Sequence, residues 1–261
     1  GAGASNTTIA RFLLQSGLDP ANLIIFDSKG ALHPKRHDIE RNPDKYRQWE
    51  LARISNPRCL DGMESAMKGA DVLIALSSPG PDTIKPQWIK LMADKAIVFT
   101  CANPVPEIYP YDAKAAGAFI VATGRGDFAN QINNSCGFPG ILKGALAVRA
   151  SKITDNMAIA AAHSLADYAE KRGINPEDIV PKMDEPDVFA FEAAEVAERA
   201  MLDGVARLSV NKDELFRRVK NEIDQSRSLI HQLMDLGFIS APPREIINRA
   251  LQDTLARFPH E

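Results

Sequence analysis

No apolar run in this chain approaches the ~18–20 residues needed to cross a bilayer, and no stretch reads as a signal peptide. A membrane is therefore not an expected partner. Neither sign of charge dominates: 31 Lys and Arg against 34 Asp and Glu leave a net charge of −3, so no strong positive field exists to recruit nucleic acid. Cysteine is scarce, three residues with no C-x-x-C pair and an odd count, which argues against a disulfide framework. These absences point to a cytoplasmic setting. Two further things are missing at the start: an initiator Met, and any β-strand ahead of the first glycine.

That first glycine opens "GAGASN", in which Gly1, Gly3 and Asn6 occupy the three small-residue positions of a G-x-G-x-x-G/A turn. Glycine permits the tight turn and lets main-chain amides approach a pyrophosphate, while the following helix adds its unpaired N–H groups. The turn runs through Gly1, Ala2, Gly3, Ala4, Ser5 and Asn6 into an amphipathic helix. A strand follows at residues 23–26, closed by Asp27. An acid 26 residues beyond Gly1 suits an adenosine ribose and favours NAD, whereas Lys29, Lys35 and Arg36 just past it leave NADP open. Asp27 equally suits a capped turn with Ser28 and Gly30.

The pattern downstream alternates short β-branched runs with helical segments, the mark of a doubly wound parallel sheet. "ADVLIALSSPG", "KAIVFTCANPVPEI" and "AFIVATG" supply its strands, and residues 31–60 read as a surface loop with a solvated helix. After Phe138 the chain becomes Ala-rich and helical, with Gly173 as a helix stop. The expected organisation is a Rossmann-type α/β domain over 1–150, helices over 151–208 and a helical appendage over 209–261.

Ligands of such sheets bind at the carboxyl ends of the strands. Ser77 and Ser78 stand at the end of one strand and Asn103 at the next. The segment after the third offers Arg125, Asp127, Gln131, Asn133 and Asn134. Amides bind hydroxyl and carboxylate groups without adding charge, which suits a small hydroxy acid. The bland alternatives are a turn-forming Asn103 before Pro104 and a helix cap at Asn133–Asn134. His33, His37 and His163 have no spaced partner for a metal, and Cys101 and Cys136 read as small buried hydrophobes.

Taken together, "GAGASN", "FDSKG", "ADVLIALSSPGP", "ANPVPEIYP", "GAFIVATGRGDFANQINNSCGFPGILKGALAVRA" and "ITDNMAIAAAHSLA" resemble the NAD-binding part of malic enzymes of the short prokaryotic kind, over roughly residues 1–208. The resemblance implies oxidative decarboxylation of L-malate to pyruvate and CO2 with NAD(P)+ and Mg2+ or Mn2+, by a homodimer. It places the dinucleotide on residues 1–6, its ribose on Asp27 beside Ser28, and malate on Asn103 and Asn134. Ser77, Ser78, Asn103 and Asn133 would face the cofactor. The tyrosine acid, lysine base and carboxylate metal ligands of that family lie upstream of the glycine turn, so no catalytic residue or metal ligand is assigned here, and Lys143, Tyr109 and Asp127 are not given those roles. A preceding segment carrying the first strand is expected. The rival readings are malolactic enzyme, which converts malate to lactate with bound NAD, a non-catalytic NAD-binding module, and a different Rossmann dehydrogenase, against which the "GRGDFANQINNSCGFPG" block speaks.

Overall fold

Runs as short and β-branched as VLIA, IVFT and IVAT cannot form long helices, and between helical segments they assemble side by side. In the computed structural model, which describes residues 1–240 and 243–257, the order is α1 (Ala4–Gln15), β1 (Phe26–Asp27), β2 (Gly30–Ala31), α2 (His37–Glu40), α3 (Tyr46–Ile54), α4 (Met63–Met67), β3 (Val72–Ala75), α5 (Pro86–Ile89), β4 (Ile97–Thr100), α6 (Pro110–Ala115), β5 (Ile120–Thr123), α7 (Phe138–Ala147), α8 (Asp155–Arg172), α9 (Asp187–Leu202), α10 (Lys212–Asp235) and α11 (Arg244–Arg257). Parallel β4 lies between β3 and β5. The register sets Ala75 opposite Thr100 and Thr100 opposite Thr123, so all three strands end level. Val98, Val121 and Ala75 pack with Met67, Ile84, Ile89 and Ile108.

The strand expected at residues 23–26 differs. Only Phe26 and Asp27 make ladder bonds, and they pair antiparallel with Gly30 and Ala31, the turn closing through Gly30 at φ +136°. Leu23 and Ile25 instead offer their carbonyls to the amides of Asn56 and Leu32. In a doubly wound sheet the neighbour of this segment, and of the outer edge of β3, is the first strand.

Residues 31–60 are less solvated than their polar composition suggests. Leu32, Ile39, Leu51 and Ala52 are buried with Ala2, Ala10 and Ile25 beneath α1. Their spacing is irregular, so only tertiary packing reveals them.

The helical region has its own core, in which Val148, Met157, Ala161, Ala193, Val196 and Ala200 meet Leu215 and Val219 of α10. α8 starts on the Thr154 hydroxyl, which accepts from the Met157 amide at 3.2 Å, and stops at Gly173, φ +96°. Its first turn is tied to α1 by an Arg11–Asp155 ion pair and by Gln15 Nε2 donating to Asn156 Oδ1 at 2.5 Å. The start of the appendage thus joins the helical core, whereas Leu229, Ile230, Ile246 and Leu251 further along are exposed. Residues 241–242 and 258–261 of the expected appendage lie outside the described residues. Among the described residues no helix is long and apolar enough to cross a membrane.

Candidate functional site

The carboxyl ends of β3, β4 and β5 lie level, and the glycine turn stands against the end of β3. Gly3 is the N-cap of α1, with extended backbone and no side-chain cap, and the first turn carries no acid. The amides of that turn therefore stay available to an anion. Gly1 lies against the end of β3: a Cβ there would meet the Ser77 Cβ at 3.5 Å. Ala2 is buried and its carbonyl accepts from Gln48 Nε2 at 3.1 Å. Ala4 and Ser5 are exposed, and Asn6 is buried with its Oδ1 lacking a hydrogen-bond partner. An uncapped helix start, with its first-turn amides free and no acid beside them, fits a dinucleotide phosphate site.

Ser77, Ser78 and Asn103 are exposed at the ends of β3 and β4. Beneath them sits Glu107, which is fully buried. Its Oε1 accepts from the Ser77 amide at 2.6 Å and the Ser77 hydroxyl at 3.0 Å, and its Oε2 from the Ala102 amide at 3.1 Å. The Asn103–Pro104 peptide is cis. The Asn103 amide flanks Gly124, where a Cβ would stand 3.2 Å from Nδ2 and 3.3 Å from Oδ1. Gly124 thus leaves room for Asn103 at the end of β5. Burial, and next the Glu107 carboxylate, push the Cys101 thiol up to about 11, which keeps it protonated and poorly nucleophilic at neutral pH.

Asp27 and Ser28 lie apart, at the β1–β2 turn. Arg36 Nη2 and Nη1 donate to Asp27 Oδ2 at 2.9 Å and Oδ1 at 3.2 Å, and the Lys29 amide donates to Oδ1 at 2.8 Å. The Asp27 carboxylate therefore serves the turn and Arg36, the local use named alongside the ribose. Ser28 is exposed. Asn133 Oδ1 accepts from the Ser135 amide at 3.0 Å and caps a 3-10 turn, Asn134–Cys136, ahead of α7, while Asn134 is exposed. Arg125 pairs with Asp127 at 2.5 Å and donates to the Pro104 carbonyl at 3.1 Å, linking the β5 loop to the β4 loop. Among the described residues no three His, Cys, Asp or Glu side chains gather as a metal ion requires.

Sequence reasoning missed three residues. Glu107 could have been found as a lone acid between apolar Pro106 and Ile108, next to a strand end. Arg36 stood out only as one cation among several. Glu192, fully buried on α9 with neither carboxylate oxygen hydrogen-bonded among the described residues, lies in a helix that reads as ordinary and amphipathic.

The description "Malic enzyme, NAD binding domain" matches residues 1–201. The crystal structure of an Entamoeba histolytica malic enzyme superposes with a TM-score of 0.93 at 53% identity, covering 98% of this chain and 53% of that one. A bifunctional malic/malolactic enzyme of Bacillus subtilis is 36% identical over 84% of this chain and 52% of its own length. An NADP-dependent malic enzyme of Halomonas elongata is 40% identical over 66% of this chain and 38% of its own. The chain thus spans about half the length, or less, of these relatives. A Rossmann-like parallel sheet behind an uncapped glycine turn, and a family match across most of the sequence, agree: the chain belongs to the malic enzyme family.

Proposed function

We propose that this chain supplies the dinucleotide- and substrate-holding part of an enzyme that oxidises L-malate and decarboxylates the product to pyruvate and CO2. The observation that carries the reading is the meeting of the open start of α1, Ser77 and the Asn103 turn at one end of the sheet. The amides of residues 1–6 hold the pyrophosphate, and Asp27 and Ser28 lie towards the adenosine ribose. Ser77, Ser78 and Asn133 line the nicotinamide side. Asn103 and Asn134 hold the hydroxyl and carboxylate of malate through neutral amides, which orient it without adding charge. NAD, or NADP in its place, would supply the acceptor for the hydride of malate C2. Mg2+ or Mn2+ would be held outside the residues described here, and no step is derived through it. A homodimer and a cytoplasmic setting accompany the reading, the former from the family resemblance and the latter in keeping with three free cysteines.

The test is dinucleotide reduction with L-malate and Mn2+, with product analysis, on the full-length protein. NADH and pyruvate appearing together support the reading. Lactate without net NADH would instead favour the malolactic reaction, which the name of the B. subtilis relative includes. Dinucleotide binding without malate turnover would reduce the chain to a binding module.

A further inference from the structure

We infer that Glu107 is a positioning residue of this dinucleotide site, its buried carboxylate locking the ends of β3 and β4 together and placing a negative charge beside the nicotinamide side. The inference rests on the proposed function, which puts Ser77 against the cofactor and Asn103 against the substrate. Glu107 is fully buried, and three donors converge on it: the amide and hydroxyl of Ser77 and the amide of Ala102. Ser77 lies 30 residues away along the chain. One side chain thereby ties together two loops that carry candidate site residues.

Its own backbone is anchored as well. The Glu107 carbonyl accepts from the Ile84 amide at 3.0 Å, and Thr100 Oγ1 donates to the Ile108 carbonyl at 3.3 Å. Among the described residues no lysine or arginine forms an ion pair with Glu107. The hydrogen bonds to its carboxylate thus come from neutral donors alone.

The choice of side chain is informative. A carboxylate only accepts, and every group facing it here donates. Two of the three donors are backbone amides at adjacent strand ends, the place where a doubly wound sheet receives its ligand. A glutamine would leave the shape intact, but its NH2 would face one of these donors and the charge would be gone. A purely mechanical brace would affect oxidised and reduced dinucleotide alike. A charge near the ring favours the form whose nicotinamide is cationic, which is the oxidised one.

The test is Glu107→Gln, with NAD+ and NADH dissociation constants measured alongside thermal unfolding. The expected result is a folded variant that binds both forms about fivefold or more weakly, with NAD+ losing more than NADH, as fits the loss of charged hydrogen bonds. Unchanged affinities in a folded variant, or equal losses for the two forms, would overturn the inference while leaving the proposed function standing. Wild-type protein that binds neither dinucleotide would overturn both. Should Glu107→Gln fail to fold, Glu107→Asp carries the test. It keeps the charge but reaches only one strand end, so weaker binding with a preserved NAD+ to NADH ratio is expected, and wild-type binding would overturn the inference.

Discussion

Asp27 and Arg36 form a two-bond ion pair in which both side chains are only 12% exposed, and Arg36 reaches on to Asp38 at 2.8 Å. Burial alone would raise the Asp27 carboxyl, but the Arg36 bonds and the Lys29 amide outweigh it and hold the group below the ordinary carboxylate range. That stabilisation is present above the unfolded value and is lost as pH falls through the lowered one. On the proposed reading, in which Asp27 faces the ribose, the pair also bears on cofactor choice, because Asp27→Ala would release the Arg36 cation beside the 2′-position. NADPH should then gain on NADH by about tenfold, the scale of one charged hydrogen bond, and Arg36→Ala should shift the ratio the other way. Fluorescence titration of the two reduced dinucleotides measures this. Ratios that stay constant in both variants would remove the pair from cofactor discrimination.

Glu192 supports a second prediction. With no hydrogen-bond partner, its carboxyl is pushed by burial up to about 8 from an ordinary 4.5. The folded protein keeps a proton that the unfolded chain has lost. The resulting stabilisation is complete below 4.5 and disappears as pH rises through about 8, at up to ~1.4 kcal/mol per pH unit. Glu192→Gln should melt with the wild type near pH 4.5 and several degrees above it at pH 8–9. Parallel melting curves across that range would show that Glu192 has found a partner.

Helix propensity and packing disagree at Gly144. Alanine is the better helix former by about 1 kcal/mol, yet a Cβ at this position would lie 2.5 Å from the Ala193 carbonyl and 2.9 Å from the Val196 side chain. Packing should win, because the α9 backbone cannot step aside cheaply. Gly144→Ala is expected to lower stability by ~1–3 kcal/mol, read as a drop in the urea midpoint. A more stable variant would mean that the two helices slide freely.

For the substrate, Asn103→Ala and Asn134→Ala should each raise the malate KM or lower kcat by about ten- to hundredfold, while dinucleotide affinity is largely kept. Steady-state kinetics on the full-length protein decide it. A silent Asn134→Ala would move the malate site elsewhere.

The sequence made the sheet legible where the cause of folding is local. VLIA, IVFT and IVAT are short, β-branched and bounded by turn residues, and they became β3, β4 and β5. It misled where a distant neighbour decides. Residues 23–26 look like a strand, but only Phe26 joins a ladder, while Leu23 and Ile25 accept from the distant Asn56 and Leu32 amides. Leu32, Ile39 and Leu51 are buried without any periodicity that would announce it. At the site, the glycine turn was visible as a helix start because its chemistry is backbone chemistry. The contacts that commit Asp27 to Arg36, and Glu107 to Ser77 and Ala102, join residues by geometry, which no local pattern encodes. Asn133 was readable both ways, and its side chain took the capping role.

The bonds from α1 to α8 carry a last consequence. Arg11 and Asp155 are 144 residues apart in sequence, and beyond them Thr154 and Asn156 both donate to Asp203 at the end of α9, at 2.5 and 3.0 Å. Each exposed contact contributes little by itself. In series they link the helix that begins at the glycine turn to the Ala-rich bundle. A dinucleotide steadying the first amides of α1 would then slow hydrogen exchange in α8 and α9, so that cofactor occupancy would be felt as rigidity on the far side of the chain.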